Sequence, residues 1–503
     1  MNPVIEWAIE TVSPTWALKR RAARRSMKIL EITESKIRKY DAAGTSQRTS
    51  GWGVRGSLDA NTENLPALEL IRDRGRDLYR NNVWFRRAEK VIENNAIGPG
   101  IAAKIEDDKL AALWKEYAHT TACDAHKRMT IVDMDKMALN TAVQAGEVLI
   151  RRVITRDKKF PVKMVLLEPD FIDTSHDLMN ETDSNGNVIT ETIQGIMFDK
   201  FGSPLGYWLF DSHPGSTGDH STVSRFVPAD EVIHFFIIDR PGQVRGVTQF
   251  APCIQRMRNL DKYEDAELEK QIISSMFAGF ITDADCDELN GNTGKEYPVS
   301  DHIQPGTLEV LPPGQSIEFA DPPSKEGYSE YARQQLLALS ACCGITYEAL
   351  TNDLRQTSFT SGRIGSHEMS RNIAMWQSAI INQIKTRQWE WFLLGVELTE
   401  GIPDSVDKTI RWRPPARLIV DTEKETKADR DAVRSGFKSL SDAIRDRGDD
   451  PEEVFSEIVK DNKFFDDNKL ILDTDPRVTT NNGQIQGEAA PDPAAPKSDK
   501  VNE

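Results

Sequence analysis

The chain has 503 residues, with 79 acidic and 63 basic side chains, a formal net charge of −16 and a mean hydropathy of −0.50. Its length suffices for roughly two to four domains. Because an acidic protein neutralises few DNA phosphates, this charge argues against a repressor or a nuclease with a large basic footprint. It does not exclude a protein past which nucleic acid slides without being gripped. No apolar run approaches the ~20 residues of a membrane span, and the N-terminal stretch lacks the charge order of a secretory signal.

The sequence lacks the usual motifs of catalysis and of metal or nucleotide binding. GNTGKE at 291–296 resembles a phosphate-binding loop, but no Ser or Thr follows the Lys and the glycines are too close together. The eight histidines form no HExxH or Cys/His pattern, and no GxSxG motif occurs. The five cysteines have no disulfide or metal spacing, which predicts buried thiols in a reducing cytosol. We therefore expect a structural protein with no cofactor and no metal, although carboxylates suited to acid–base catalysis are plentiful.

The N-terminal part combines a basic helix with an extended segment. Its basic residues are Lys19, Arg20, Arg21, Arg24, Arg25 and Lys28. Such a helix could meet nucleic acid or an acidic partner surface, but a solvated helical face is the favoured interpretation. Residues 40–53 (YDAAGTSQRTSGWG) have the Gly, Ser and Thr content of an extended arm.

Helical periodicity and then strand periodicity follow. Apolar residues at helical spacing predict helices over 64–95, 108–119 and 132–145. Between 146 and 239 the period becomes two, and five runs predict strands: EVLIRRVIT, KMVLLEP, NVITETIQGIMFD, LGYWLFD and DEVIHFFII. Asn185 with Gly186, and KFGSP at 200–204, are typical of tight turns. This part of the chain therefore predicts a body of mixed α and β structure.

The stretch 230–282 contains an apolar strand, a Pro-Gly turn and a long helix of mixed charge. It predicts a rod-like helix that projects from the β-containing body. Short strands with Pro-Gly turns are then expected within 283–323, a helix over 328–343, an exposed polar loop over 352–363 and a long amphipathic helix over 368–398. A heavily charged helical region covers 421–468, and the composition after 475 predicts disorder.

Several segments, in their order and spacing, together resemble the portal proteins of lambda-type tailed bacteriophages. They are YDAA at 40–43 with RTSGW at 48–52, IRDRGRDLYRNN at 71–82, IGPGI at 97–101, EVIH at 231–234, RPGQVRG at 240–246, Asp261 with YEDAE at 263–267, TYEALTND at 346–353 and SGR at 361–363. The resemblance covers roughly residues 40 to 400. Where the family often has Tyr-Ser-Ser-x-Arg, this chain has FTSGR at 359–363.

The resemblance implies an α+β portal fold, assembled as a ring, with a wing, a stem of two helices, a β-rich clip, a tunnel loop and a helical crown. By position, its parts are an N-terminal basic arm (1–60), the wing (61–254), the first stem helix (255–280), the clip (281–325), the second stem helix (326–345), a segment with the tunnel loop, long helix and wing return (346–418), the crown (419–472) and a disordered tail (473–503).

The resemblance also implies roles for particular residues. The tunnel-loop residues expected to face DNA are Arg355, Gln356, Thr357, Ser358 and Phe359. The acidic residues expected to line the stem are Asp261, Glu264, Asp265, Glu267 and Glu269. The turn expected to redirect the chain from wing to stem contains Arg240, Pro241, Gly242, Arg245 and Gly246. Like charge along the stem would keep DNA phosphates from binding during transit.

The implied function is a channel at one capsid vertex for packaging and ejecting double-stranded DNA without sequence specificity. The implied partners are further copies of the chain in a ring of about twelve, the terminase large subunit, the major capsid and scaffold proteins, and the head-completion or adaptor proteins. The protein would belong to the virion and occupy the host cytoplasm during assembly. Two alternatives remain, another head–tail connector and an enzyme of the packaging machine. The missing nucleotide-binding and nucleophile motifs argue against the enzyme.

Overall fold

The computed structural model describes residues 58–470, except for gaps at 178, 183–187, 218–222, 276–279, 282–308, 311–326, 356, 404, 416–421, 448, 450 and 469. The predicted tail, nearly all of the predicted arm and clip, and the turn at Asn185 and Gly186 therefore lie outside the described residues. In the described part, no helix combines the length and the apolarity that crossing a membrane requires.

The body begins with helices α1 (Ala60–Asn81) and α2 (Val83–Ala96), the short strand β1 (Ala102–Ile105), and helices α3 (Asp108–His119) and α4 (Ile131–Ala145). The bounds of α3 are those predicted, because the Asp107 side chain accepts a hydrogen bond from the Leu110 amide at 2.8 Å and caps the helix. The helical stretch predicted over 64–95 is instead divided at Asn82. Its side chain accepts from the Phe85 amide at 2.7 Å and starts a second helix within a continuous apolar pattern.

Two larger sheets follow. One has the order β3–β2–β9 and contains β2 (Glu147–Ile154), β3 (Val162–Leu167) and β9 (Val232–Phe236). The other is a meander of β4 (Met179–Thr182), β5 (Val188–Ile193), β6 (Ile196–Asp199), β7 (Pro204–Phe210) and β8 (Ser224–Pro228). All their pairings are antiparallel. Four of the five predicted runs each contain one strand, but NVITETIQGIMFD is divided by a turn at Gln194 and Gly195 into β5 and β6, and no run predicted β4 or β8. The turn predicted at 200–204 is also confirmed, since Asp199 Oδ1 accepts from the amides of Phe201 and Ser203.

Side chains alternate along β2 between two cores. Val148 and Ile150 join the large core of the helical layer, which includes Phe85. Leu149 points the other way, into a smaller core with Tyr207 of the meander. This alternation follows from the two-residue period of a strand. The strand β2 therefore connects the helical layer to the meander.

Helices α5 (Ala251–Ser275) and α6 (Tyr328–Cys343) pack against each other, and we call this pair the stem helices. The first turns of α5 are anchored in the large core by Cys253, Met257 and Leu260. Between residues 261 and 272 no side chain is buried, so this half of the helix extends beyond the core. A helix of 25 residues is about 37 Å long. The rod-like helix is thus confirmed, although it starts at Ala251 and not at residue 255. Beyond it, β10 (Phe280–Ile281) and β11 (Glu309–Val310) pair in parallel.

The chain then returns to the body. Helix α7 (Tyr347–Thr351) precedes a long helix made of α8 (Phe359–Ile380), a π-helical turn (Ile381–Lys385) and α9 (Thr386–Thr399). Strand β12 (Ile410–Arg413) pairs antiparallel with β1 and places the Trp412 ring 5.7 Å from that of Trp114. Helices α10 (Thr422–Arg434), α11 (Leu440–Asp446) and α12 (Pro451–Asn468) follow; we call them the crown helices.

Candidate functional site

The turn at residues 240–246, predicted to lead from the wing to the stem, is held by residues at the start of α1. Asn61 Nδ2 donates to the Gly242 carbonyl at 2.9 Å, and Asn61 Oδ1 accepts from the Val244 amide at 2.9 Å. Gly242 has a φ of 78°, a conformation that favours glycine, directly after Pro241. Arg240 pairs with Glu63 at 2.5 Å. The start of α1 therefore fixes the turn whose residues the sequence singled out.

Arg245 of this turn is fully buried and pairs with Glu147, the first residue of β2. Its Nε donates to Glu147 Oε1 at 2.9 Å and its Nη2 donates to the same oxygen at 2.5 Å. Glu147 Oε2 accepts from His234 Nε2 at 2.9 Å and from the Gly246 amide at 2.7 Å. Burial opposes ionisation, but the charge of Arg245 and the hydrogen bond from His234 outweigh it and lower the pKa of Glu147. The carboxylate of Glu147 thus links the turn at residues 240–246 to β2 and, through His234, to β9.

Gly246 permits this arrangement because no side chain fits at its position. A Cβ atom there would lie 2.3 Å from the Gly146 carbonyl oxygen and 2.6 Å from Phe236 Cβ. Sequence reasoning identified Arg245 and Gly246 but missed Glu147. The sequence signal for Glu147 was its place as an acidic residue at the start of an apolar strand. This place indicates that the carboxylate is buried, but it does not identify Arg245, 98 residues away, as its partner.

The buried pair extends into a polar network that reaches the surface. Arg72 Nη2 lies 3.5 Å from Glu147 Oε1, and Arg72 Nη1 pairs with Asp170 at 3.1 Å. Arg76 bonds to Asp170 and, at 2.8 Å, to Glu168. Glu168, Asp170 and His213 have the spacing of a metal site, but the two guanidinium groups already supply the positive charge there. The geometry therefore fits a salt-bridge network better than a metal centre.

The five acidic residues predicted for the stem do not share one face of α5. Asp261 Oδ1 accepts from Asn82 Nδ2 at 2.7 Å, so this carboxylate faces the wing. Glu264 is half-buried, and burial together with the nearby Asp261 raises its pKa. Glu267 Oε1 accepts from Gln271 at 3.1 Å. Asp265 and Glu269 are exposed, and four-residue spacing places them on one face.

The segment predicted as a tunnel loop is shorter than 352–363. Ser358 accepts from the Ser361 amide at 3.2 Å and caps α8, so the long helix begins at Phe359 and not at Glu368. Thr357 Oγ1 donates to Glu348 at 2.9 Å. Gln356 and the side chain of Phe359 lie outside the described part of the chain.

Arg355 is exposed at the tip of this loop and pairs with Asp353. Two nitrogens of its guanidinium lie 2.9 Å from the two carboxylate oxygens. The hydrogen bond from Arg355 lowers the pKa of Asp353 to about 2. The charge that the loop presents at its tip is therefore largely balanced within the loop.

One Ser–His–Asp grouping occurs in the meander, and its geometry does not fit a nucleophile. Ser224 Oγ donates to Asp173 Oδ2 at 2.5 Å and lies 3.2 Å from His176 Nε2. In a catalytic triad the carboxylate holds Nδ1 of the histidine. Here that atom has no hydrogen-bond partner among the described residues, and Asp173 binds the serine directly. The grouping ties β8 to the turn before β4.

Comparisons with known proteins agree with this architecture. The model of the phage portal protein family, lambda family, matches residues 45–377. The chain is 24% identical over 457 residues to a probable portal protein of Halomonas phage phiHAP-1, covering 85% of this chain and 87% of that protein. It is 22% identical over 460 residues to portal protein B of Escherichia phage lambda, covering 79% of this chain and 84% of that protein.

Among solved structures, the chain is similar to one in the neck of an empty gene transfer agent particle computed with C6 symmetry. The identity is 11%, the coverage is 75% of this chain and 94% of that chain, and the TM-score is 0.42.

The fold defines a class of protein in which an α+β body carries a pair of packed helices. The chain belongs to the lambda family of phage portal proteins, because the family model matches more than half of its residues. The resemblance and the fold class given by the sequence are thereby confirmed. The domain bounds and the roles of the individual stem and tunnel residues stay predictions.

Proposed function

We propose that the protein forms a closed ring at one capsid vertex and that double-stranded DNA passes through it during packaging and ejection. The terminase large subunit docks on the ring first, and head-completion proteins replace it. The protein does no catalysis itself. The observation that carries this proposal is the match to the portal family over residues 45–377, which includes the anchored half and the extended half of the stem helix.

The stem suits a channel because its base is rigidly anchored and the exposed charged residues of α5 beyond Lys262 are acidic. Its base is fixed by the buried Glu147–Arg245 pair behind the wing-to-stem turn. Asp265 and Glu269 lie on an exposed face of α5. Repeated around a ring, this face repels phosphates, so DNA slides without the lysine and arginine contacts that create tight binding. In this proposal Arg355, at the loop tip, approaches the DNA with its charge reduced by Asp353.

Ring formation is the first test of this function. Purified full-length protein, imaged in negative stain, is expected to form closed rings of about twelve copies with a central opening. A heterologous contact that closes gives rings, whereas one that does not close gives filaments. Monomers or open filaments at every concentration tested would contradict the proposal, and a two-fold dimer would favour another kind of connector.

The acidic face of the stem gives a second prediction. The double variant Asp265→Lys/Glu269→Lys is expected to form normal rings but to lower the yield of DNA-filled particles about tenfold or more, because new phosphate contacts slow translocation. The matched control is Glu69→Lys/Glu397→Lys, which makes the same charge change at exposed positions outside the stem. Equal yields for the two variants would show that stem charge does not govern DNA transit.

A further inference from the structure

The crown helices lack a hydrophobic core of their own. Among the side chains described between residues 422 and 468, only Ala443 and Pro451 are buried. A segment of this size cannot fold on so little buried apolar surface. Another surface must therefore cover these helices for them to be stable.

Ion pairs hold the crown helices together in place of a core. Lys438 pairs with Asp429 at 3.0 Å and with Asp446 at 2.6 Å, and Arg447 pairs with Asp429 at 3.3 Å. The hydrogen bond from Lys438 lowers the pKa of Asp429. Partly exposed pairs of this kind stabilise a fold only weakly. They orient α10 relative to α11 but do not replace buried apolar surface.

Exposed apolar side chains mark the surface that requires a cover. On α12, Ile458 and Val459 are 46% and 65% exposed; Phe455, which is 36% exposed and lies on the same side of the helix, borders a cleft that also contains Lys104 and Trp412 of the body. Before α11, Phe437 is 89% exposed. Contiguous exposed apolar surface of this kind is typical of an interaction site.

The charges of the crown helices identify the partner. Helix α12 has six acidic and two basic residues in its sequence PEEVFSEIVKDNKFFDDN. Helix α10 has four of each, and Glu425 and Asp429 are half-buried against Arg363 and Lys438. Its exposed charged residues are four basic ones, Lys424, Lys427, Arg430 and Arg434, and two acidic ones, Glu423 and Asp431, which pair with Lys427 and Arg430. The exposed charges of α10 are therefore net positive and those of α12 net negative, a complementarity that a second copy of the same chain supplies.

We propose that the apolar side of α12 packs against α10 and Phe437 of the next copy, with the acidic edge of α12 facing the basic side of α10. The α12 surface of each crown then contacts one neighbouring copy, and its α10 surface contacts the neighbour on the other side. This heterologous contact closes when it is repeated around a ring. The crown helices acquire their core from neighbouring subunits and become stable only upon assembly. This inference rests on the proposed ring, and it names the surface through which the crowns associate.

The test uses charge reversal on the two faces in full-length rings. Arg430→Glu/Arg434→Glu and Glu457→Lys/Asp461→Lys each change two exposed residues at four-residue spacing. In hydrogen exchange measured by mass spectrometry, each variant is expected to exchange about tenfold faster over 422–468, with residues 251–275 unchanged. The combination of all four substitutions is expected to restore slow exchange. Unchanged exchange in both double variants, or no recovery in the combination, overturns the inference.

A cross-linking experiment tests the same contact without disturbing the charge pattern. Rings carrying Arg430→Cys and Asp461→Cys are treated with a short bismaleimide, and the two variants with only one of these substitutions, together with the unmodified protein and its five native cysteines, serve as controls. A ladder of covalent oligomers, present in the double variant alone, is the expected result. Cross-links confined to single chains overturn this inference but leave the ring intact. Absence of rings in the unmodified protein overturns both the inference and the proposed function.

Discussion

The substitution Glu147→Gln is expected to lower the free energy of unfolding by about 3–5 kcal/mol. Glutamine keeps the size of glutamate but removes the negative charge that pairs with Arg245, and both side chains are almost fully buried. Arg72, whose Nη2 lies 3.5 Å from Glu147, adds a second positive charge to the uncompensated site. The buried guanidinium of Arg245 would then have neither water nor a counter-charge, which is the costly state for an ion inside a protein.

Urea unfolding at matched protein concentration measures this loss. The control is Lys109→Gln, because Lys109 pairs with Glu400 at 2.6 Å on the surface, with side chains 70% and 43% exposed. An exposed pair of this kind contributes about 0–1 kcal/mol. The prediction fails if Glu147→Gln costs no more than Lys109→Gln. The Gly246 amide also donates to Glu147, so the variant is expected to exchange hydrogen faster at the wing-to-stem turn.

Local signals in the sequence suffice for most elements of the body. The two-residue period between 146 and 239 predicted strands that the structure contains, because alternation is imposed by two cores on opposite faces of β2. The limits of α3 follow from the cap at Asp107 and the helical period after it. The long stem helix was also predictable, because a long run of mixed charge after a Pro-Gly turn favours a helix that is exposed to solvent.

Features that depend on distant partners could not be predicted in this way. The sequence contains no sign that Glu147 meets Arg245 or that Asn82 binds Asp261 across 179 positions. The five acids of the stem form one group in the sequence, but the hydrogen bond from Asn82, between α1 and α2, turns Asp261 toward the body, whereas Asp265 is exposed. The polar and β-branched segment 352–363 predicts an exposed loop and a helix that begins at Glu368, whereas the local cap at Ser358 starts α8 at Phe359. Tertiary packing thus determined the orientation of Asp261, and a local cap determined the start of α8; composition alone indicated neither.

The substitution Lys385→Met is expected to cost about 3–5 kcal/mol of unfolding free energy. Lys385 ends the π-helical turn, and its Nζ donates to Asp135 at 2.6 Å and to Gln388 at 3.1 Å. The side chains of Lys385 and Asp135 are 2% and 0% exposed. Without the ammonium group, Asp135 stays buried with a hydrogen bond from Gln388 at 2.9 Å but no counter-charge. The same urea measurement applies, with Arg371→Met in an exposed pair of α8 as the control.

Replacing both partners separates the stability of the pair from its role in fixing the helix. Because desolvation offsets most of the attraction in a buried ion pair, Asp135→Leu/Lys385→Met is expected to recover to within about 1–2 kcal/mol of the unmodified protein. A π-helical turn is nevertheless a rare conformation that needs specific contacts. In the double variant, residues 381–388 are therefore expected to exchange hydrogen faster even though global stability returns. If exchange there stays slow, the apolar packing of Ile380 and Ile384 is sufficient to fix the π-helical turn. In that case the ion pair does not determine the direction of α8 relative to the body, and so does not position the loop at Arg355.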